Sequence, residues 1–232
     1  MDHENLCPVY EVGEVEGQPY IAMQYVAGGS LKEISDMLSY HEKVAIMVDV
    51  ADALQAAHRA GLVHRDIKPA NVLLTESGRP MISDFGIARL EASQLTVEGA
   101  RLGTPYYMSP EQVNGEEVDG RTDLYALGVI LFKLLTGSYP FFGHSFLAMM
   151  NAILSEEAPD LEPLRPGLPR ALSAAVRKSL AKNRDERFQT GAEFAAALRA
   201  TEEPEAAEEE DFSQATVIGT SLSNLKEMKG TL

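Results

Sequence analysis

The 232 residues predict an α+β fold, with strands at the start and helices after them, and three observations predict it. Short β-type runs are confined to residues 9–25 and 72–83. Residues 41–60 form a long apolar-rich stretch that stops at Gly61, a usual helix-ending residue. Residues 124–135 are apolar nearly all round, as a helix inside a core is, and stop at Gly137.

In chain order, 9–12 and 20–25 read as two strands joined by a hairpin loop at 13–18. Ala27-Gly28-Gly29-Ser30 is the next break. The helix at 41–60 follows, then a short hairpin of 72–74 and 81–83 with its turn at 76–79. After the buried helix at 124–135, further helices are expected over 145–154, 170–180 and 191–199. No internal repeat is present.

Composition narrows the function classes. A net charge of -15 argues against general affinity for nucleic acid or anionic membrane. No stretch reaches the roughly 18 apolar residues of a spanning helix, and the first residues lack a basic region followed by an apolar block. One cysteine, Cys7, excludes an internal disulfide and a thiolate metal cluster and suits a reducing cytoplasm. His3, His41 and His144 are too scattered for a metal site, and His58, near a helix end, reads as packing. The methionines read as core filler. Residues 201–232 hold eight acidic and two basic side chains, so -6 of the charge lies there and -9 in the first 200 residues. The run 202–211 has almost nothing to bury and reads as a solvated linker, with the boundary near Ala200.

The chemistry concentrates in His64-Arg65-Asp66-Ile67-Lys68-Pro69-Ala70-Asn71, a loop between a helix and a strand. Phosphoryl transfer needs a carboxylate to take the proton of an attacking hydroxyl, a cation to offset phosphoryl charge and an oxygen donor for a metal. All three lie within six positions. Thirteen residues past Asn71 stands Asp84-Phe85-Gly86, and Asp84 is a hard oxygen ligand suited to magnesium. Asp-Phe-Gly alone could be an ordinary turn; after HRDxKxxN at hairpin spacing the pair is specific.

Together these motifs resemble those of eukaryotic-type serine/threonine protein kinases, particularly the bacterial membrane-tethered kind, over roughly residues 2–199. The resemblance implies a mainly helical large lobe at 31–200, a remnant of the small β lobe and hinge at 1–30, and an acidic tail at 201–232. It implies ATP and Mg2+ as cofactors and serine- or threonine-bearing proteins as substrates. Asp66 would be the catalytic base, Lys68 the phosphate-contacting lysine, and Asn71 and Asp84 the magnesium ligands. His64 would pack beneath the turn containing Phe85 and Gly86. Residues 103–111 resemble the end of an activation segment, with Ser109 where alanine is commoner and Thr104 where a threonine contacts the catalytic aspartate. Lys68 and Thr104 favour the serine/threonine class. Asp123 resembles the helix aspartate that holds the catalytic loop, and Arg187 the ion-pair partner of Glu111. Residues 20–30 resemble the strand into the hinge: Met23 would be the gatekeeper, backbone groups of Gln24 and Val26 would bind adenine, Leu73 would pack under it, and Ser30 would meet the ribose. Taken alone, those residues read equally well as a strand and a Gly turn.

The resemblance also implies regulation. A phosphate on Thr96, with Ser93 second, would pair with Arg65 and order the activation segment. Thr216 in the tail would be phosphorylated and read by a phosphothreonine-binding partner, although a plain linker is the simpler reading. Ala70 lies where some relatives carry an acid that reads basic substrates, so no basic motif is expected.

The family's glycine-rich loop, strand lysine and helix glutamate have no counterpart here, since the first lysine is Lys32. The 232 residues alone are therefore expected to have weak or no activity. Three explanations stay open: a piece of a longer kinase, a truncated pseudokinase serving as a binding or scaffold protein, and a chain completed by a partner. Small-molecule phosphotransferases share an aspartate-asparagine loop but leave Lys68, the Ser109-Pro110-Glu111 end and Arg187 unexplained.

Overall fold

The computed structural model describes residues 3–85 and 105–201. Strand β1 (Val9–Val15) pairs antiparallel with β2 (Gln18–Met23), Val15 opposite Gln18. The six-residue loop expected here is only a two-residue turn. Glu16 and Gly17 have φ of 53° and 79°, and two left-handed residues in succession match the twist of the flanking strands, so pairing runs up to the turn. No residue of this hairpin is fully buried, and Val9, Tyr10, Val12 and Val15 face solvent.

Helix α1 (Leu31–Ile34) and a 3-10 turn lead into α2 (Tyr40–Arg59). A reciprocal cap starts α2: Glu42 N donates to Ser39 Oγ while Ser39 N donates to Glu42 Oε2 at 2.7 Å. Strands β3 (Val72–Leu74) and β4 (Pro80–Ile82) form the second hairpin, Val72 opposite Ile82. Then come α3 (Pro110–Val113), α4 (Gly120–Thr136), α5 (Phe146–Ser155), α6 (Leu161–Leu164), α7 (Arg170–Ser179) and α8 (Gly191–Arg199). The expected helix at 124–135 starts a turn earlier because the Asp119 side chain accepts from Arg121 N and caps it there. Helix α2 packs on both α4 and α8, and α4 packs on α7, around one apolar core. Among the described residues no helix is long and apolar enough to cross a membrane.

Close helix contact at α4–α7 requires Gly128. A Cβ there would stand 2.0 Å from Ser179 Oγ and 2.9 Å from Ser179 Cβ, so the side chain cannot simply swing away. Gly128→Ala is expected to destabilise the fold: overpacking costs ~1–3 kcal/mol, and better helix propensity returns at most ~1 kcal/mol. Urea midpoints check this, and Ser179→Gly in the same chain should recover part of the loss.

Candidate active site

The loop between α2 and β3 is built around a buried aspartate. Asp123, fully buried near the start of α4, accepts from the backbone N–H of His64 at 2.9 Å and of Arg65 at 2.8 Å. Its Oδ2 also meets His58 Nε2 at 2.8 Å, a bond in which the ring N–H donates and the carboxylate oxygen accepts. These bonds hold Arg65 at φ 71°, which a side-chain-bearing residue adopts only when its surroundings fix it. The imidazole of His58 also lies where a Cβ on Gly120 would come within 2.6 Å of Nδ1, so the start of α4 closes directly over that ring.

The same loop is fastened to the strand leading to Asp84. His64 Nε2 donates to Ser83 O at 2.8 Å, while its Nδ1 accepts from Asp66 N at 3.2 Å, which fixes the tautomer. The His64 ring meets the Phe85 ring edge-on at 4.6 Å. Ser83 N donates to Asn71 O at 2.9 Å, and Ser83 Oγ lies 3.3 Å from Asp84 Oδ2. Asp84 has φ 65°, a second left-handed residue at the site.

Asp66, Lys68 and Asn71 come together as the sequence suggests. Lys68 Nζ donates to Asp66 Oδ2 at 2.5 Å, with both side chains partly exposed. Asn71 Nδ2 donates to Asp66 O at 2.9 Å and lies 3.3 Å from Asp66 Oδ2. Asp66 Oδ1 and Asn71 Oδ1 have no protein partner among the described residues. That leaves one oxygen for a proton and one for a cation. Among the described residues no group of three His, Cys, Asp or Glu side chains could hold a metal by itself. Asp84 and Asn71 carry oxygens of the hard donor type that Mg2+ takes, and Mg2+ keeps waters and draws further ligands from phosphates.

Next to this floor the hinge loop is pinned to β3. Gly28 N donates to Leu74 O at 2.9 Å, Leu74 N donates to Gly29 O at 2.8 Å, and Ser30 bridges to Leu73. A Cβ at Gly28 would stand 2.4 Å from Leu74 O, so glycine is needed for this approach. Leu73 is only half-buried between buried Val72 and Leu74, so it sits where the hinge can cover it. Gln24 N donates to Pro8 O at 2.9 Å, and its carbonyl accepts from the Cys7 thiol at 3.3 Å. Burial first, and then the Asp84 charge, pushes the Cys7 thiol up from its ordinary value. Val26 has both backbone groups free among the described residues. Ser30 Oγ donates to Glu33 Oε2 at 2.9 Å, so a ribose contact would share that hydroxyl. Met23 is partly exposed at the end of β2.

A second buried pair anchors the segment that starts at Pro105. Arg187, 1% exposed, holds Glu111 through two bonds of 2.8 Å, Nη1 to Oε1 and Nη2 to Oε2. Its remaining donors go to Ala181 O at 2.7 Å, Lys182 O at 3.0 Å and Arg121 O at 3.4 Å. Burial alone would raise the Glu111 carboxyl; the Arg187 bonds, the Thr122 hydroxyl at 2.6 Å and the Arg187 charge outweigh it and hold the group at about 2. Ser109 Oγ accepts from Gln112 N to cap α3. Gln112 Nε2 then reaches back to Arg65 O at 2.8 Å, joining the anchored segment to the loop that carries Asp66.

Sequence reasoning missed His58, taken as packing, and Gln112 and Thr122, which it did not single out. The partners of His58 and Gln112 lie 65 and 47 positions away and that of Thr122 lies 11 away, so no local pattern marks them. The expectations for Gly86, Ser93, Thr96, Thr104 and Thr216 lie outside the described residues.

A model of the protein kinase domain matches residues 1–197. The chain belongs to the protein kinase family. The kinase chain is 39% identical over 209 residues to the probable serine/threonine-protein kinase PknB of Bifidobacterium longum (strain NCC 2705), covering 84% of this chain and 30% of that protein. It is 38% identical to the probable PknB of Lactococcus lactis subsp. lactis (strain IL1403), covering 81% and 31%. It is 37% identical to PknB of Mycobacterium leprae (strain TN), covering 85% and 33%. The chain thus spans about a third of the length of the curated relatives it matches.

Proposed function

We propose that this chain supplies the catalytic loop of a serine/threonine protein kinase, transferring the γ-phosphate of ATP to protein hydroxyls in signalling. The observation that carries the reading is the bonded set Asp66–Lys68–Asn71, held rigid by Asp123 and joined through Ser83 to Asp84. Asp66 Oδ1 takes the proton of the attacking hydroxyl while Oδ2 stays fixed by Lys68 and Asn71. Lys68, on an exposed pair worth little by itself, can turn to the transferring phosphoryl. Magnesium, when bound, would neutralise phosphate charge; Asp84 and Asn71 would hold it. The exposed Arg65 guanidinium, without a partner among the described residues, is where a phosphate at Thr96 or Ser93 would pair. Phosphorylated Thr216 would serve a phosphothreonine-binding partner. Cytoplasmic placement, either free or tethered to a membrane within a longer parent protein, rests on the lone cysteine.

One observation favours a second reading of these 232 residues taken alone. The hairpin leaves Val9, Tyr10, Val12 and Val15 exposed, and no lysine precedes Lys32. On their own the residues would transfer phosphate weakly and act mainly as a binding or scaffold unit.

The test incubates the 232-residue chain with ATP, Mg2+ and a mixed protein substrate and maps phosphate by mass spectrometry. Slow incorporation on serine and threonine that Asp66→Asn abolishes supports the kinase reading. Incorporation that survives Asp66→Asn, or that falls on tyrosine, overturns it. Nucleotide binding without transfer supports the scaffold reading.

A further inference from the structure

Beside the hinge loop lies a groove of about 390 Å³, away from the catalytic set. Its walls are α2, the turn before it and the β3–β4 turn. Ile34, Leu38 and Leu74 make an apolar floor, and Glu42, Asp49 and Glu76 stand on the lining. No cationic side chain lines it. Arg79 and Arg199, on the flanking turn and helix, are already paired with Glu4 and Asp52. The groove therefore suits a segment with apolar anchors and positive charge.

The chain itself holds such a segment and leaves the described structure next to this groove. Arg199, the last residue of α8, pairs with Asp52, and Asp52 is one turn along α2 from Asp49. Beyond Thr201 the run 202–211 carries seven acids, which an acidic lining repels. The first cations after it are Lys226 and Lys229, which leave residues 225–232 with a side-chain charge of +1 after Glu227 is counted, set among Leu225, Met228 and Leu232. Twenty-three residues lie between Thr201 and Leu225. A flexible chain of that length spans roughly 25–30 Å on average, ample for a neighbouring groove, and gives a tethered segment an effective concentration on the order of millimolar.

We propose that segment 225–232 docks in cis into this groove, Leu225 and Met228 on the apolar floor and Lys226 and Lys229 against the acidic lining. Docked there, it covers Gly28 and Leu74, which pin the hinge loop to β3. The inference does not depend on phosphotransfer.

Hydrogen exchange on the full 232-residue chain tests it. Lys226→Glu with Lys229→Glu, and separately Glu76→Lys, should each speed exchange of the amides of residues 34–46 roughly fivefold, and combining all three should restore protection. An unchanged urea midpoint shows that the reversals act locally. Equal exchange in all variants overturns the proposal. So does protection that depends on protein concentration, which would make the occupant a second copy, and so does protection lost with Glu76→Lys but kept in the lysine variant.

Discussion

Asp123→Ala is expected to destabilise the fold by about 3–5 kcal/mol and to abolish any phosphotransfer. The carboxylate is fully buried and accepts three hydrogen bonds, from His64 N, Arg65 N and His58 Nε2. Removing it orphans two backbone N–H groups, each costing about 1–3 kcal/mol, and leaves nothing to hold Arg65 at positive φ. Arg65 would relax toward ordinary backbone angles, and Asp66, the next residue, would turn with it. Asp123→Asn separates the contributions. Its remaining oxygen can still accept from Arg65 N, but its amide opposes the N–H of His64, so a smaller loss is expected. Urea midpoints give the stability, and exchange of the His64 and Arg65 amides gives the local effect. If Asp123→Ala and Asp123→Asn are equally mild, the carboxylate does not hold the loop.

The contrast between Asp66 and His58 shows what the sequence could disclose. Asp66, Lys68 and Asn71 sit within six positions, so the chemistry they form together is written in one local string, and Asp84 follows at hairpin spacing. The helices α2 and α4 were also legible, because a buried helix must repeat its apolar residues along the chain. His58 and Asp123 are 65 positions apart, and Gln112 meets Arg65 across 47. Such pairs exist only once α4 and α3 have packed against the loop, so only the resemblance, not spacing, pointed to Asp123. The first hairpin was misjudged in length for a different reason: whether Glu16 adopts positive φ depends on strand twist rather than on its own preference. The short helices α1, α3 and α6 are too brief to show a period.

Arg187→Ala should cost about 3–5 kcal/mol, since it strands the Glu111 carboxylate in a site where only 4% of it is exposed. Replacing both partners by apolar residues, Arg187→Met with Glu111→Leu, should cost much less, because neither charge is then left buried alone. The acid response distinguishes the pair from simple packing. In the fold Glu111 titrates at about 2, below its ordinary 4.5. A carboxyl depressed by folding contributes its full stability above the ordinary value and loses it as pH falls through the folded one. The wild-type chain should therefore lose stability between about pH 4.5 and 2. The doubly apolar variant should show a shallower loss across the same window, measured by urea midpoints at stepped pH. Equal slopes would mean that the ion pair does not set the acid limit. The consequence reaches the loop that carries Asp66: Glu111 is followed by Gln112, whose amide holds Arg65 O, so loosening the pair frees α3 and releases the loop from its second side.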